Sequence, residues 1–223
     1  MVPIRENLVP KDKYAIKCPY TRTPTRVVIH NTANDAPAAN EISYMRYNDL
    51  EISFHYAVDD VNIVQGIPEN RNAWASGDGH GKGNMEGIHI EICYSKSGGK
   101  KFDKAEQNAA EFTASLLKKY GWGIDKVTKH RDYDSKYCPH RTLDRGWQRF
   151  LSMVKRYMEP AKAPVASKFT PYLIRKNCRD ALNIRKGPST NYGILGQIKD
   201  TLRYTIVEER SGPGSAKGWG RLK

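Results

Sequence analysis

The chain has 223 residues, 39% of them hydrophobic, with a mean hydropathy of −0.70, which suits one large globular domain or a medium domain with a small one. No run approaches the roughly 18–20 apolar residues of a membrane helix, which excludes a spanning helix. The net charge of +13 is uneven: residues 161–223 hold 13 basic and 4 acidic side chains, net +9, against +4 in residues 1–160.

Such a cationic tail suits a polyanionic partner. Nucleic acid is not expected, because the aromatic residues do not alternate with basic ones in a stacking pattern. The opening segment has no apolar stretch of signal-peptide length, so synthesis in the cytoplasm without a signal peptide is expected. The four cysteines, Cys18, Cys93, Cys138 and Cys178, form neither a dense disulfide framework nor a C-x-x-C zinc knuckle. A Cys18–Cys178 disulfide is not expected in a chain made in the cytoplasm.

In chain order, Arg26–His30 is a short β-branched run and reads as a strand. A helix is expected between Pro37 and Tyr47. Phe54–Val58 and Val61–Gln65 read as strands around a turn at Asp59-Asp60. Gly87–Cys93 alternates, with isoleucines on one face and His89, Glu91 and Cys93 on the other. A long helix is expected over Asp103–Tyr120, capped by Asp103 and ended by Gly121. Trp147, Phe150, Leu151, Val154 and Tyr157 recur at three- and four-residue steps, the period of one apolar helix face.

Composition breaks after Glu159, where prolines and small residues suggest a linker. Beyond it, Leu182–Arg185, Gly193–Ile198 and Leu202–Val207 read as short strands between turn residues. The expected fold is therefore α/β, a central β-sheet flanked by helices, followed by a small all-β barrel. The expected boundaries are 1–159 for the first domain, 160–169 for the linker and 170–223 for the second domain.

Glu91 sits amid Ile88, Ile90 and Ile92, where a carboxylate needs a partner, a metal, a function or a wet strand edge. His30 ends the first strand, and His130 precedes Cys138 by eight residues. Two imidazoles and a thiolate suit zinc and do not suit magnesium or calcium. Each residue alone is more often a hydrogen-bonded structural histidine or a small buried thiol.

Four segments occur in order: Val28-Ile-His-Asn-Thr-Ala33; Trp74 with Gly77-Asp-Gly-His-Gly81; Gly87-Ile-His-Ile-Glu-Ile-Cys93; and His130 followed by Lys136-Tyr-Cys138-Pro139. Together, over about residues 20–158, they resemble the zinc-dependent N-acetylmuramoyl-L-alanine amidases of phage endolysins and bacterial autolysins. That resemblance implies Zn2+ held by His30, His130 and Cys138. It makes Glu91 the general acid/base and Lys136 the stabiliser of the oxyanion. It places substrate contacts at Asn31, Thr32, Phe54, Trp74 and Asp78. The implied substrate is bacterial peptidoglycan, cut between N-acetylmuramic acid and L-alanine, with action on the cell wall after release from the cytoplasm. The competing classes are a peptidoglycan-binding module without catalysis and a zinc peptidase acting on the stem peptide.

Two positions depart from the family pattern. Phe54 stands where some members carry a catalytic tyrosine, and Ala75 follows Trp74 where a histidine is common. The stretch Leu182-Asn-Ile-Arg-Lys-Gly-Pro-Ser189, with the later Gly218-Trp219-Gly220, is similar to bacterial SH3-like cell-wall domains. That likeness implies binding to anionic wall polymers and a barrel still short of a strand or two at Lys223.

Overall fold

The computed structural model describes residues 1–159, 169–177, 179–216 and 218–223. The chain divides into two compact units, Met1–Ala161 and Lys162–Lys223. Most of the linker expected at 160–169 lies outside the described residues, as does Cys178. Cys18, Cys93 and Cys138 are free thiols.

The first unit is built on six strands: β1 (Ile4–Glu6), β2 (Arg26–Asn31), β3 (Tyr56–Val58), β4 (Ile63–Gln65), β5 (Gly87–Ile92) and β6 (Val127–Lys129). Their order is β1-β4-β3-β5-β2-β6. Only β3 and β4 run antiparallel; the other neighbours are parallel. The turn between β3 and β4 forms where expected. The Asp59 carboxylate accepts the backbone N–H groups of Val61 at 2.8 Å and Asn62 at 2.6 Å, a local bond that favours aspartate in turns. The first of these strands begins at Tyr56 rather than Phe54, and Phe54 is buried just before it.

Six helices accompany the sheet: α1 (Tyr14–Lys17), α2 (Ala38–Tyr47), α3 (Lys82–Glu86), α4 (Gly99–Tyr120), α5 (His140–Asp144) and α6 (Trp147–Met158). The long helix α4 starts at Gly99, a turn before the expected Asp103. Asp103 does not cap it, because its carboxylate pairs with Arg145. Gly121 ends the helix as expected, in the left-handed conformation at φ 68°, where glycine carries no Cβ penalty.

The apolar faces explain the layers. Ile88, Ile90 and Ile92 of β5 are fully buried, each contributing roughly 1.5–3 kcal/mol of hydrophobic stabilisation. Tyr56 pairs with Ile90 across the parallel ladder and shares its face. Its ring meets Phe112 of α4 edge-on at 4.6 Å, so α4 covers the isoleucine face. Helix α6 packs on α4 through Phe150 and Val154. The opposite face of β5 carries His89 and Glu91.

The second unit contains a three-stranded antiparallel sheet in the order β11-β10-β7, made of β7 (Tyr172–Arg175), β10 (Arg203–Arg210) and β11 (Trp219–Leu222). A separate hairpin pairs β8 (Leu182–Arg185) with β9 (Ile194–Ile198). Among the described residues of the second unit, the buried hydrophobic ones are Ile198 and Ile206.

Candidate active site

Parallel pairing assembles the site. In the β2–β5 ladder His30 is the register partner of Glu91, and Val28 the partner of His89. Parallel register partners point to the same side of a sheet, so His30, His89 and Glu91 share one face. β6 pairs with the other edge of β2 and delivers His130 to the first position after its end. The chain then loops back: Arg131 N–H donates to the Cys138 carbonyl at 2.9 Å, which returns Cys138 to the side of His130.

His30, His130 and Cys138 are all buried, and their donor atoms lie within 4.8 Å of one another. His30 Nδ1 is 3.1 Å from His130 Nδ1. Two nitrogens on one tetrahedral zinc, each bonded at about 2.0–2.1 Å, stand about 3.3–3.4 Å apart, so the spacing fits a shared zinc. The electrostatics agree. Burial, together with the neighbouring His89, His130 and Lys136, holds His30 well below its ordinary pKa. Burial and Lys136 also lower the pKa of His130, against Asp134 and Asp78. Both imidazoles are thus neutral and can offer lone pairs. Burial pushes the Cys138 thiol up to about 12, with the Glu91 charge adding to it. A bound cation reverses that bias and holds the thiolate.

Glu91 Oε1 lies 4.0 Å from His30 Nδ1, and Glu91 Oε2 is buried without a hydrogen-bond partner. Burial pushes its pKa up to about 8, helped by Glu41 and opposed by Lys136. Glu91, His130 and Cys138 line a cleft of about 1070 Å³. Lys136 lines this cleft and is exposed. Thr32, Phe54 and Trp74 also line it. Trp74 stands edge-on to Tyr20 at 6.2 Å and to His80 at 5.6 Å.

Two of the expected substrate contacts are committed elsewhere. Asn31 reaches the cleft, but its Oδ1 accepts the backbone N–H groups of Arg141 at 3.0 Å and Thr142 at 3.2 Å, in the first turn of α5. Asp78 is not among the cleft-lining residues; its carboxylate accepts the N–H groups of Gly83 at 2.7 Å and Asn84 at 3.0 Å in α3.

Neither Glu41 nor Lys17 carries a motif in the sequence. Glu41 of α2 lines the cleft, and burial pushes its carboxyl up against a hydrogen bond from Asn34. Lys17 is fully buried. Its ammonium donates to Asn48 Oδ1 at 2.8 Å, Leu50 O at 2.5 Å and Ile52 O at 3.2 Å. Asn48 and Ile52 line the cleft, so Lys17 holds that wall in place.

Residues 20–141 match the family described as N-acetylmuramoyl-L-alanine amidase. This chain belongs to that family. N-acetylmuramoyl-L-alanine amidase XlyB of Bacillus subtilis (strain 168) is 50% identical over 181 residues, 78% of this chain and 57% of the relative. CwlA of the same organism is 49% identical over 190 residues, 81% of this chain and 70% of the relative. The chain thus spans only part of the length of these curated relatives. The solved structure of PlyL is 52% identical, with a TM-score of 0.67, covering 69% of this amidase-family chain and 97% of PlyL. Among the described residues, no helix is long and apolar enough to cross a membrane.

Proposed function

We propose that the chain is a peptidoglycan hydrolase that cleaves the amide bond between N-acetylmuramic acid and L-alanine, with zinc held by His30, His130 and Cys138. The observation that carries this reading is Glu91: a carboxylate with one buried, unpartnered oxygen, 4.0 Å from His30 Nδ1 on the cleft side of the sheet. When bound, zinc supplies Lewis acidity and brings the pKa of a bound water towards about 7. Glu91 takes the proton from the attacking water and returns it to the leaving amine. Burial keeps its proton affinity close to neutral pH, which suits both halves of that task. Phe54 has no hydroxyl to share the work. Lys136 presents its ammonium to the carbonyl oxygen as negative charge develops there, an interaction worth roughly 3–4 kcal/mol.

Thr32, Phe54 and Trp74 are the substrate contacts we assign along the cleft. Asn31 and Asp78 support the site by ordering α5 and α3. The second unit reads as an SH3-like domain that holds anionic wall polymers, supported by its charge of +9. The biological role would be endolysin-like, with synthesis in the cytoplasm and action on the wall after release.

The deciding experiment digests purified Gram-positive peptidoglycan with and without a chelator and weighs the products. Free stem peptides beginning at L-alanine, lost with chelator and restored by zinc, are expected. Cuts within the stem would make the protein a zinc peptidase. Wall that binds the protein yet stays intact would make it a binding module. Deleting residues 162–223 is expected to weaken wall binding more than turnover of soluble fragments; equal losses would assign the second unit to the active fold.

A further inference from the structure

His89 is fully buried two residues before Glu91, and the mechanism above leaves it unused. Its Nδ1 lies 3.0 Å from His30 Nε2, the ring nitrogen that faces away from His130. The His30 ring thus touches His130 through one nitrogen and His89 through the other. A neutral imidazole carries a single N–H, so the direction of the His30–His89 bond decides which His30 nitrogen has a free lone pair.

We propose that His89 is the positioning residue of the metal site: it accepts the Nε2–H of His30 and so reserves His30 Nδ1 for zinc. This rests on the zinc reading above. The direction follows from the other side of the His30 ring. Nδ1 is the His30 nitrogen that faces His130 Nδ1, at 3.1 Å, and Glu91 Oε1, at 4.0 Å, so it is the one placed to bind the metal. With that lone pair kept for zinc, the single proton of neutral His30 sits on Nε2, and the Nδ1 of His89 can only accept. The opposite arrangement would put the His30 proton on Nδ1 and block its lone pair.

The ring of His89 is held for this task. His55 stacks on it at 5.6 Å with planes 16° apart. His55 Nδ1 also accepts the His89 backbone N–H at 3.1 Å, and its Nε2–H donates to the Arg71 carbonyl at 2.9 Å. Gly87 leaves the space: a Cβ there would sit 2.5 Å from the Gly83 carbonyl oxygen and 3.2 Å from His89 Nε2. A partner that accepts the non-ligating N–H of a ligand histidine fixes its orientation and raises its basicity. A neutral imidazole does this without a further anion. The Cys138 thiolate already offsets half the charge of a dication, and each further anion would weaken the pull on a carbonyl.

The test compares full-length wild type, His89→Gln and His89→Phe. Glutamine keeps an acceptor for His30 Nε2–H, whereas phenylalanine keeps only the ring shape. Zinc affinity is read by competition with a chelator, folding by thermal unfolding, and the His30 tautomer by nitrogen-15 NMR of the zinc-free wild type. His89→Phe should bind zinc about 10–100-fold more weakly, and His89→Gln should stay within about threefold of wild type. The His30 proton should sit on Nε2. A folded His89→Phe with wild-type affinity overturns the proposal, as do equal losses in both variants or a proton on His30 Nδ1. Wild type that binds no zinc would instead remove the metal reading, while the NMR result would still decide the His30–His89 bond. If His89→Phe fails to fold, His89→Gln and the tautomer carry the test.

Discussion

His30 Nδ1 and Glu91 Oε1 stand 4.0 Å apart on adjacent parallel strands, too far for a direct hydrogen bond and close enough to share a water. In the proposed mechanism, ligand and base thus address the same point from neighbouring backbones. Glu91→Ala should keep zinc and fold while cutting amide hydrolysis by about 100-fold or more. Product release from peptidoglycan, with zinc content measured alongside, checks this. Retained full activity would take Glu91 out of the mechanism.

Cys138 supplies the one sulfur donor of the cluster. Serine keeps the shape but offers a harder, far less acidic oxygen. Cys138→Ser should lower zinc affinity at least about tenfold. Metal analysis after dialysis reads this directly, and a normal zinc content would place the third ligand elsewhere.

Glu106 is 1% exposed and binds Arg149 Nη2 through both oxygens at 2.7 Å and Arg145 Nη1 at 3.1 Å. It fastens α4 to the start of α6. Glu106→Gln removes the charge from these bonds and should destabilise the first unit by about 1–3 kcal/mol. Denaturant unfolding measures it; an unchanged midpoint would show that the arginines find equal partners in water.

Glu69 gives a pH signature. Burial acts to raise its pKa, but donors on Lys119, Tyr120 and Tyr56 outweigh it, and the net pKa lies below the ordinary value of 4.5. A depressed carboxylate stabilises the fold above its unfolded pKa, and that contribution is lost as pH falls through the folded value. Wild type should therefore lose stability below about pH 4.5 more steeply than Glu69→Gln. Melting temperatures across pH 3–7 compare them, and parallel curves would exclude Glu69 as a source of the acid sensitivity.

The parts of the fold written in local periodicity were legible beforehand. The alternation in β5 marked one apolar face and one polar face, and Gly121 marked the end of α4. The three proposed ligand positions stood out only as an ordered set, since each alone suits an ordinary structural residue. β6 escaped notice because Val127–Lys129 has no pattern of its own; it is a strand through its pairing with β2. Glu41 lies one position from buried Ile42 on α2 and looks like a polar flank until tertiary packing brings it to the cleft. Asn31 and Asp78 were read as contacts because polar residues beside a ligand or in a glycine-rich loop suit that role equally well. Only the structure shows them bonded to the first turns of α5 and α3.

The parallel register of β2 and β5 also sets what kind of change the site can survive. Side chains alternate across a strand, so a single residue inserted or deleted between Gly87 and Glu91 would carry the carboxylate to the α4 side and bring an isoleucine to face His30. Length changes within β5 would thus remove the base outright, whereas swaps of one aliphatic residue for another would only retune packing. The active site is indexed by counting residues along a strand.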